Sequence, residues 1–290
     1  MDAKVDYEPR ARRVELPSRG GEMAVLDFGP PERPVDLVFS HANGFNARTY
    51  RTILSPLAQA FRILAVDLRG HGASTLPADP ARHPGWHGFR DDLLALLASE
   101  ATGPVVLAGH SMGGTTSLLA AAAEPERVKA LVLFDPVIFD GAQVIDRAGD
   151  NGLAAGAERR RAVFPDKTAV VTGYTGKGAF RTWRPEQLAD YVEAGFKPTE
   201  AGEVTLACAP AWEAANFRTH GYDPFGALAA LARPTRILRA EHGSTCRIED
   251  HLAVLDGNPN IRHEVVPGTS HFLPMERPDL VREVLGGFLA

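Results

Sequence analysis

The sequence predicts an α/β fold, with a mostly parallel, twisted sheet and helices on both faces. Short apolar segments that suit buried strands alternate along the chain with segments of helical spacing. One apolar segment runs directly into a Gly-x-Ser-x-Gly turn and then into an alanine-rich helix. The alternation lapses after residue 136 and resumes near residue 235. With 290 residues, of which 44% are hydrophobic, the chain is long enough for one large core that carries an insertion.

The N-terminal part of the chain predicts a hairpin followed by strand and helix units. Two extended segments, 13–16 and 23–28, flank Ser18-Arg19-Gly20-Gly21 and suit a hairpin at one edge of the sheet. Because right-handed crossovers join parallel strands, the units that follow place helices on both faces. Those units are strands over 35–40, 63–67, 105–108 and 130–135, and helices over 50–60, 89–98 and 115–123.

The region after the sixth strand departs from this pattern. It contains several glycines, the charge cluster Glu158-Arg159-Arg160-Arg161 and scattered aromatic residues. We interpret residues 137–226 as a helical cap, or lid, inserted after the sixth strand, rather than as a second sheet. The core then comprises residues 1–136 and 227–290. Its last elements are strands over 235–240 and 261–266 and helices over 248–255 and 280–289.

The turn Gly109-His110-Ser111-Met112-Gly113 is the most informative motif. In a nucleophile elbow the serine sits at strained backbone angles with its hydroxyl pushed out of the sheet, and the flanking positions must be nearly free of side chains. Gly109 and Gly113 meet this need. Alone, the pattern also suits an ordinary turn, but the strand before it and the helix behind it favour a catalytic serine. We therefore predict that Ser111 is a nucleophile.

A serine nucleophile needs a histidine that takes its proton. His271 follows the last predicted strand, and parallel strands all end at the edge of the sheet that presents Ser111. The other histidines are interpreted as packed or solvated, and His110 as a support for the elbow. We predict that His271 is the general base.

The carboxylate that orients this base has two candidates. Such enzymes commonly carry it after the strand over 235–240, where this chain has Glu241-His242-Gly243 and no aspartate. Asp135 ends the neighbouring strand and is the first choice, although a strand-end aspartate also suits a loop cap. Glu241 is the alternative, because its longer side chain could bridge a small displacement.

The negatively charged intermediate of acyl transfer needs N–H donors. Met112 supplies the backbone N–H that follows the nucleophile. The second donor is expected from the loop Ser40-His41-Ala42-Asn43-Gly44-Phe45, through the backbone of Asn43, although Asn-Gly also suits a simple turn. The segment from Asp67 to Ser74 collects Asp, Arg, His and Ser, but we interpret it as scaffold.

Composition argues against several other classes of protein. The formal net charge of -5 gives no basic field for nucleic acid or an anionic membrane. Cys208 and Cys246 are too few for a disulfide framework or a Cys-based metal site, so we expect two free thiols and no metal. The segment up to Arg13 lacks the apolar core of a signal peptide, and no apolar run reaches spanning length. We expect a cytoplasmic protein with no membrane span.

Taken together, the motifs resemble the α/β-hydrolase superfamily across nearly the whole chain. A looser similarity, carried by Leu131 to Ile138, by Phe180-Arg181-Thr182-Trp183 and by Tyr191, is to a subgroup with the fungal peroxisomal lipase and toxin-biosynthesis hydrolases. The resemblance implies the α/β-hydrolase fold, esterase or lipase chemistry, no cofactor and a substrate pocket beneath the lid. The motifs that carry it, in the family's order, are Ser40 to Phe45, Asp67 to Gly72, Gly109 to Gly114 and Ser270-His271-Phe272.

Dehalogenases and epoxide hydrolases of this fold have an aspartate at the elbow, where this chain has Ser111. Their alkylation chemistry is therefore disfavoured, even though Asn43 resembles the halide-contacting asparagine of the former. Asp135 stands where some of these proteins place the acid.

We expect a carboxylesterase-like or lipase-like serine hydrolase that cleaves esters of small to medium apolar substrates through an acyl-enzyme. A lactonase or a carbon-carbon bond hydrolase with the same triad is the alternative among enzymes. A receptor-like protein that binds a ligand without turnover is the alternative outside them. The expected partner is a small-molecule ester or lactone. Candidate substrate contacts, which also suit the core of a lid, are Phe139, Phe180, Trp183 and Trp212.

Overall fold

The structure is a computed structural model that describes residues 8–139, 152–219 and 221–290. Within these ranges the chain forms an eight-stranded sheet and a three-stranded sheet. In chain order the strands are β1 (Arg10–Leu16), β2 (Gly21–Phe28), β3 (Leu37–Ser40), β4 (Ile63–Val66), β5 (Val105–His110), β6 (Val128–Phe134), β7 (Val163–Phe164), β8 (Phe196–Pro198), β9 (Val204–Leu206), β10 (Thr235–His242) and β11 (Ile261–Ser270).

Helices connect most of these strands. The described part of the chain contains no helix that is both long enough and apolar enough to cross a membrane. In chain order the α-helices are α1 (Arg51–Leu54), α2 (Trp86–Glu100), α3 (Met112–Ala123), α4 (Gly152–Glu158), α5 (Lys167–Tyr174), α6 (Pro185–Gly195), α7 (Pro210–Arg218), α8 (Pro224–Ala229), α9 (Leu252–Asp256), α10 (Leu273–Glu276) and α11 (Pro278–Leu289).

The large sheet has the strand order β1-β2-β4-β3-β5-β6-β10-β11. β1 and β2 form the predicted antiparallel hairpin at one edge, and β2 also runs antiparallel to β4. All neighbours from β4 to β11 run parallel, which confirms a mostly parallel sheet. Because β5, β6 and β11 end at the same edge, the residues that follow them lie side by side.

Two hydrophobic cores cover the two faces of this sheet. Leu107 of β5 points into one core, and its neighbours Val106 and Ala108 point into the other. Both faces of the strand are therefore buried, which explains why Val105 to Ala108 are all apolar. α2, α3, α8 and α9 contribute to the first core, and α1, α6 and α11 to the second. The prediction of helices on both faces is confirmed.

The predicted helix over 50–60 is shorter than expected. The α-helix ends at Leu54 and is followed by a 3-10 turn over Ser55–Leu57. Pro56 has no N–H with which to continue the α-helical bonding. The carbonyl of Thr52, which would accept that bond, accepts one from Arg282 at 3.3 Å instead.

The described part of residues 137–226 contains the predicted helices, but the expectation of no second sheet there was wrong. Besides α4 to α7, this region contains a small antiparallel sheet in which β9 pairs with both β7 and β8. Its strands have only two or three residues, which is too short for an alternating pattern to show in the sequence. The division into a core and a cap stays a prediction. Residues 1–7 of that core and 140–151 and 220 of that cap lie outside the described residues.

Candidate active site

Ser111 lies in a sharp turn between β5 and α3. Its backbone angles are φ 54° and ψ −121°, a strained conformation for a residue with a side chain. A Cβ atom on Gly113 would lie 2.2 Å from the carbonyl oxygen of Ser40, and one on Gly109 would lie 2.4 Å from the carbonyl carbon of Gly113. Only glycine permits this close approach of strand and helix. The turn therefore has the geometry that the motif predicts.

Ser111, His271 and Asp135 form one hydrogen-bonded chain. The Ser111 Oγ lies 3.0 Å from Nε2 of His271, and the Nδ1 of the same ring lies 2.6 Å from Oδ2 of Asp135. The three residues directly follow β5, β11 and β6. The structure thus brings together the residues that were predicted as nucleophile, base and first-choice acid.

Asp135 is fully buried and surrounded by donors. Its Oδ1 accepts hydrogen bonds from Ala240 N at 2.9 Å and from Ser244 Oγ at 2.6 Å, and its Oδ2 accepts one from Thr245 N at 3.0 Å. Burial raises the pKa of Asp135. The hydrogen bond from His271, the charge of the His271 ring and the bonds from Ser244 and Ala240 together lower that pKa by more than burial raises it. The pKa of this carboxyl therefore lies below its usual value, which keeps it ionised.

Glu241, the alternative acid, makes no hydrogen bond to the base in the described part of the chain. It is exposed at the end of β10, and its Oε2 accepts a hydrogen bond from the backbone N–H of Gly268 at 2.8 Å. The segment beyond it instead wraps around Asp135 through Ser244 and Thr245. The loop that lacks the usual aspartate thus supplies donors to a carboxylate on the neighbouring strand.

Two backbone N–H groups in the turns that follow β5 and β3 have no hydrogen-bond acceptor in the described part of the chain. In the described residues no acceptor takes the N–H of Met112, at the first position of α3, or that of Asn43. The amides on either side of Asn43 are occupied, with Ala42 donating to Tyr50 Oη at 3.2 Å and Gly44 to His71 Nε2 at 3.0 Å. The free amides belong to the residues that were predicted as oxyanion donors.

His110 links the three segments of the site through a directional set of hydrogen bonds. Its Nε2 donates to the carbonyl of His271 at 2.7 Å, so its Nδ1 accepts from the hydroxyl of Tyr50 at 2.7 Å. Burial first, and then the neighbouring His271, lower the pKa of His110 and keep it neutral. The support that was predicted for His110 therefore consists of hydrogen bonds to Tyr50 and to the backbone of His271. Tyr50 was missed, because nothing in the sequence pairs it with a residue 60 positions away.

A family model for the alpha/beta hydrolase family matches residues 37–284. The chain belongs to this family. It is similar to the 2-(acetamidomethylene)succinate hydrolase of Mesorhizobium japonicum, with 25% identity over 87% of this chain and 87% of that enzyme.

Solved structures of other α/β hydrolases agree with this assignment. A crystal structure of E-2-(acetamidomethylene)succinate hydrolase is 26% identical, covers 97% of this chain and 99% of that one, and has a TM-score of 0.79. A peroxisomal α/β-hydrolase of Saccharomyces cerevisiae has a TM-score of 0.74 at 19% identity, with 97% of this chain and 87% of that one covered. The second comparison shows a shared fold and thus gives loose support to the resemblance to the fungal subgroup.

In this α/β hydrolase an aromatic cluster lies beside the base. Phe45, from the Asn43 loop, stacks on Phe272 at 6.2 Å between ring centroids and meets Trp183 edge-on at 5.2 Å. Trp183 in turn contacts Phe180 at 4.9 Å. Phe180 and Trp183 therefore belong to a cluster that reaches the residue after the base, and their roles as substrate contacts stay predictions. Phe45 and Phe272, which the sequence did not single out, each lie within a quoted motif.

Trp212 and Phe139 are placed differently from those two aromatic residues. Trp212 is buried outside the aromatic cluster, where it stacks on His83 at 4.7 Å and donates to the carbonyl of Arg69 at 3.0 Å. These contacts are with core loops. Phe139 is partly buried, next to Ile138, which pairs with Cys246. Their roles as substrate contacts stay predictions.

The segment from Asp67 to Ser74 braces the site. Asp67 accepts hydrogen bonds from Ala47 N at 2.8 Å and Ala73 N at 2.9 Å, and burial raises its pKa to about 6. His71 donates to the carbonyl of Arg69 and accepts from Gly44. Both side chains thus satisfy loop backbone groups, in agreement with the scaffold interpretation.

Besides these residues the chain contains two cysteines and further His, Asp and Glu side chains, which are potential metal ligands. Cys208 and Cys246 are buried free thiols, and burial raises the pKa of both. In the described ranges no three His, Cys, Asp or Glu side chains are grouped as metal ligands.

Proposed function

We propose that this α/β hydrolase cleaves carboxylic esters of small to medium apolar substrates through a covalent acyl-enzyme. The observation that carries the proposal is the hydrogen-bonded chain of Ser111, His271 and Asp135, with contacts of 3.0 Å and 2.6 Å. The free amides of Met112 and Asn43 support it.

The first half of the reaction acylates the serine. His271 Nε2 takes the proton of Ser111 while the serine oxygen attacks the ester carbonyl carbon. The N–H groups of Met112 and Asn43 stabilise the negative oxygen of the tetrahedral intermediate. The carbon–oxygen bond to the alcohol then breaks, and the imidazolium returns its proton to the departing oxygen.

Hydrolysis of the acyl-enzyme repeats these steps with water. His271 takes a proton from a water molecule that attacks the acyl carbon, and the protonated imidazole then returns the proton to Ser111 as the acid leaves. Asp135 accepts the Nδ1–H of His271, which fixes the tautomer that leaves Nε2 free as the base. Its negative charge stabilises the imidazolium that forms in each half-reaction.

The aromatic cluster favours an apolar substrate. Phe45 belongs to the Asn43 loop and Phe272 directly follows His271. Trp183 and Phe180 come from the inserted region. Aromatic side chains bury large apolar areas, so an acyl or alcohol group packed against them leaves water on binding.

The test is hydrolysis of p-nitrophenyl acetate and butyrate by the wild type and by Ser111→Ala. Loss of the nucleophile is expected to reduce kcat by about 10⁴-fold or more, with the fold unchanged. An S111A variant that hydrolyses these esters at the wild-type rate contradicts the proposal.

A second candidate is the reaction for which the Mesorhizobium japonicum relative is named, hydrolysis of 2-(acetamidomethylene)succinate. It is favoured by a similarity that extends over 87% of both chains. Assay of that compound and of a lactone series beside the p-nitrophenyl esters separates the candidates. The substrate class is that of the compound that the wild type hydrolyses with the highest kcat/KM and that S111A no longer hydrolyses.

A further inference from the structure

The Asn43 loop, residues 40–45, is hydrogen-bonded to α7, a helix of the inserted region. The Nδ2 of Asn43 donates to the carbonyl of Glu213 at 3.0 Å, and its Oδ1 accepts from the Nδ2 of Asn216 at 2.8 Å. Glu213 and Asn216 lie one turn apart on the same helix. Both polar groups of the Asn43 side chain are therefore bonded to one face of α7, and the side chain is not free to contact a substrate.

The orientation of Asn216 is fixed by a second contact. Its Oδ1 accepts from His83 Nε2 at 2.8 Å, and the Nδ1 of that ring accepts from Gly85 N at 3.0 Å. The carbonyl end of the Asn216 amide must therefore face His83, and its NH₂ end must face Asn43. Asn216 is 1% exposed, so water does not substitute for these bonds. Donor and acceptor are therefore assigned for every hydrogen bond in the series that runs from Gly85 through His83, Asn216 and Asn43 to Glu213.

α7 also packs directly against the backbone of the loop. A Cβ atom on Gly44 would lie 2.6 Å from Oε1 of Glu213, and φ at Gly44 is +73°. Glu213 is itself held by an ion pair with Arg160, and Arg160 donates to the hydroxyl of Tyr191 at 2.8 Å. The peptide between Asn43 and Gly44 is thus confined between Glu213 of α7 and the ring of His71, which accepts its N–H.

We propose that Asn216 is a positioning residue for the oxyanion hole. By bonding the Asn43 side chain, it fixes the backbone of Asn43, whose N–H is the second oxyanion donor. This inference rests on the proposed function. It implies that α7 completes the catalytic site of the sheet, since displacement of the helix would displace a donor.

The test compares Asn216→Ala, Asn43→Ala and the double variant on p-nitrophenyl acetate. Removing one oxyanion donor typically costs about 10²- to 10³-fold in kcat, so a displaced donor is expected to cost about 10- to 100-fold. KM is expected to change less than kcat, because the donor acts on the transition state. The double variant is expected to be no slower than the slower single variant, because Asn216 acts through the Asn43 side chain.

Asn258→Ala is the matched control. Asn258 donates to the carbonyls of Leu228 and Leu231 at 3.2 Å and 2.9 Å, at the opposite edge of the sheet. Its loss is expected to lower thermal stability but to leave kcat within about twofold, because Asn258 neither contacts the reacting atoms nor holds a group that does. The proposal is overturned if N216A keeps the wild-type kcat. It is also overturned if N258A, at an equal loss of stability, loses as much kcat as N216A does.

Amide hydrogen exchange over residues 40–45 tests the positioning independently of any activity. N216A is expected to exchange faster in this loop than the wild type, while N258A is unchanged there. If the wild type hydrolyses no ester, the proposed function fails and the exchange comparison still decides the positioning. Unchanged exchange in N216A overturns it.

Discussion

Ser111 and Asp135 are the two residues other than glycine that have positive φ in the described parts of the chain, at 54° and 43°. Each stands directly after a parallel strand of the sheet, β5 or β6. Such conformations are costly and persist where the surrounding structure enforces them, often at functional sites. The strain coincides with the two ends of the hydrogen-bonded chain through His271.

The acid assignment is testable by a matched pair of isosteric variants. Asp135→Asn is expected to reduce kcat by about 10³- to 10⁴-fold, because the neutral amide neither fixes the tautomer of His271 nor stabilises its charge. Glu241→Gln is expected to stay within about twofold, because the exposed Glu241 side chain contacts Gly268 and His242 rather than the base. Steady-state kinetics on p-nitrophenyl acetate, with circular dichroism to check folding, decide the matter. Equal losses in both variants contradict the assignment.

At the scale of single residues, the sequence predicted the members of the site but not what holds them. Ser111 and His271 follow from a motif and from a position after a strand. The choice between Asp135 and Glu241 depended on the register of the loop after β10, which local patterns do not encode. Tyr50 and Asn216 act through partners 60 and 173 positions away, so only the folded chain reveals them.

At the scale of elements, the elbow requires contact between backbones. A methyl group on Gly113 would meet carbonyl oxygens of Ser40 and His41 at 2.2 Å and 2.6 Å, and no flexible side chain is available to move aside. Gly113→Ala is expected to destabilise the protein by about 3 kcal/mol and to lower kcat, because β3 and α3 must separate.

Gly287→Ala is the control for that variant. Gly287 is an exposed residue of α11, and a Cβ atom there meets nothing within 4 Å. The substitution is expected to raise stability by about 0.5 kcal/mol through helix propensity and the entropy of the unfolded chain. Urea unfolding measures both changes. A G113A variant as stable as G287A contradicts the packing account.

The elements that the sequence predicted well are those with long, regular patterns. The strands of the large sheet and helices α2, α3 and α11 were expected close to their observed positions. The small sheet of β7, β8 and β9 was missed because two or three residues carry no periodicity, and the helix before Pro56 was drawn too long.

At the scale of the whole molecule, buried neutral histidines make stability depend on pH. Burial lowers the pKa of His71 to about 4 and of His110 to about 3, and lowers that of His41 well below its usual value. In the unfolded chain these rings titrate near pH 6.5. Their contribution to stability is therefore complete above pH 6.5 and is lost as the pH falls toward the folded-state values.

Asp67 has the opposite effect on stability. Burial raises its pKa to about 6, so as the pH falls the folded state binds this proton at a higher pH than the unfolded state does. Near pH 5, unfolding takes up protons on His41, His71 and His110, and on His83, whose pKa burial also lowers, and it releases a proton from Asp67. The free energy of unfolding is therefore expected to fall as the pH decreases from 6 to 5, because the unfolded chain binds more protons than the folded one. Urea unfolding between pH 7.5 and 4.5 measures the slope, and a flat profile between pH 6 and 5 contradicts the account.

The most direct test of the central claim is covalent labelling of Ser111. The wild type treated with a fluorophosphonate probe is expected to gain one adduct, which peptide mass spectrometry locates at Ser111. His271→Ala is expected to slow labelling by orders of magnitude, because the base that takes the serine proton is gone. Absence of an adduct on the folded wild type, or an adduct that Ser111→Ala retains, contradicts the assignment of Ser111 as the nucleophile.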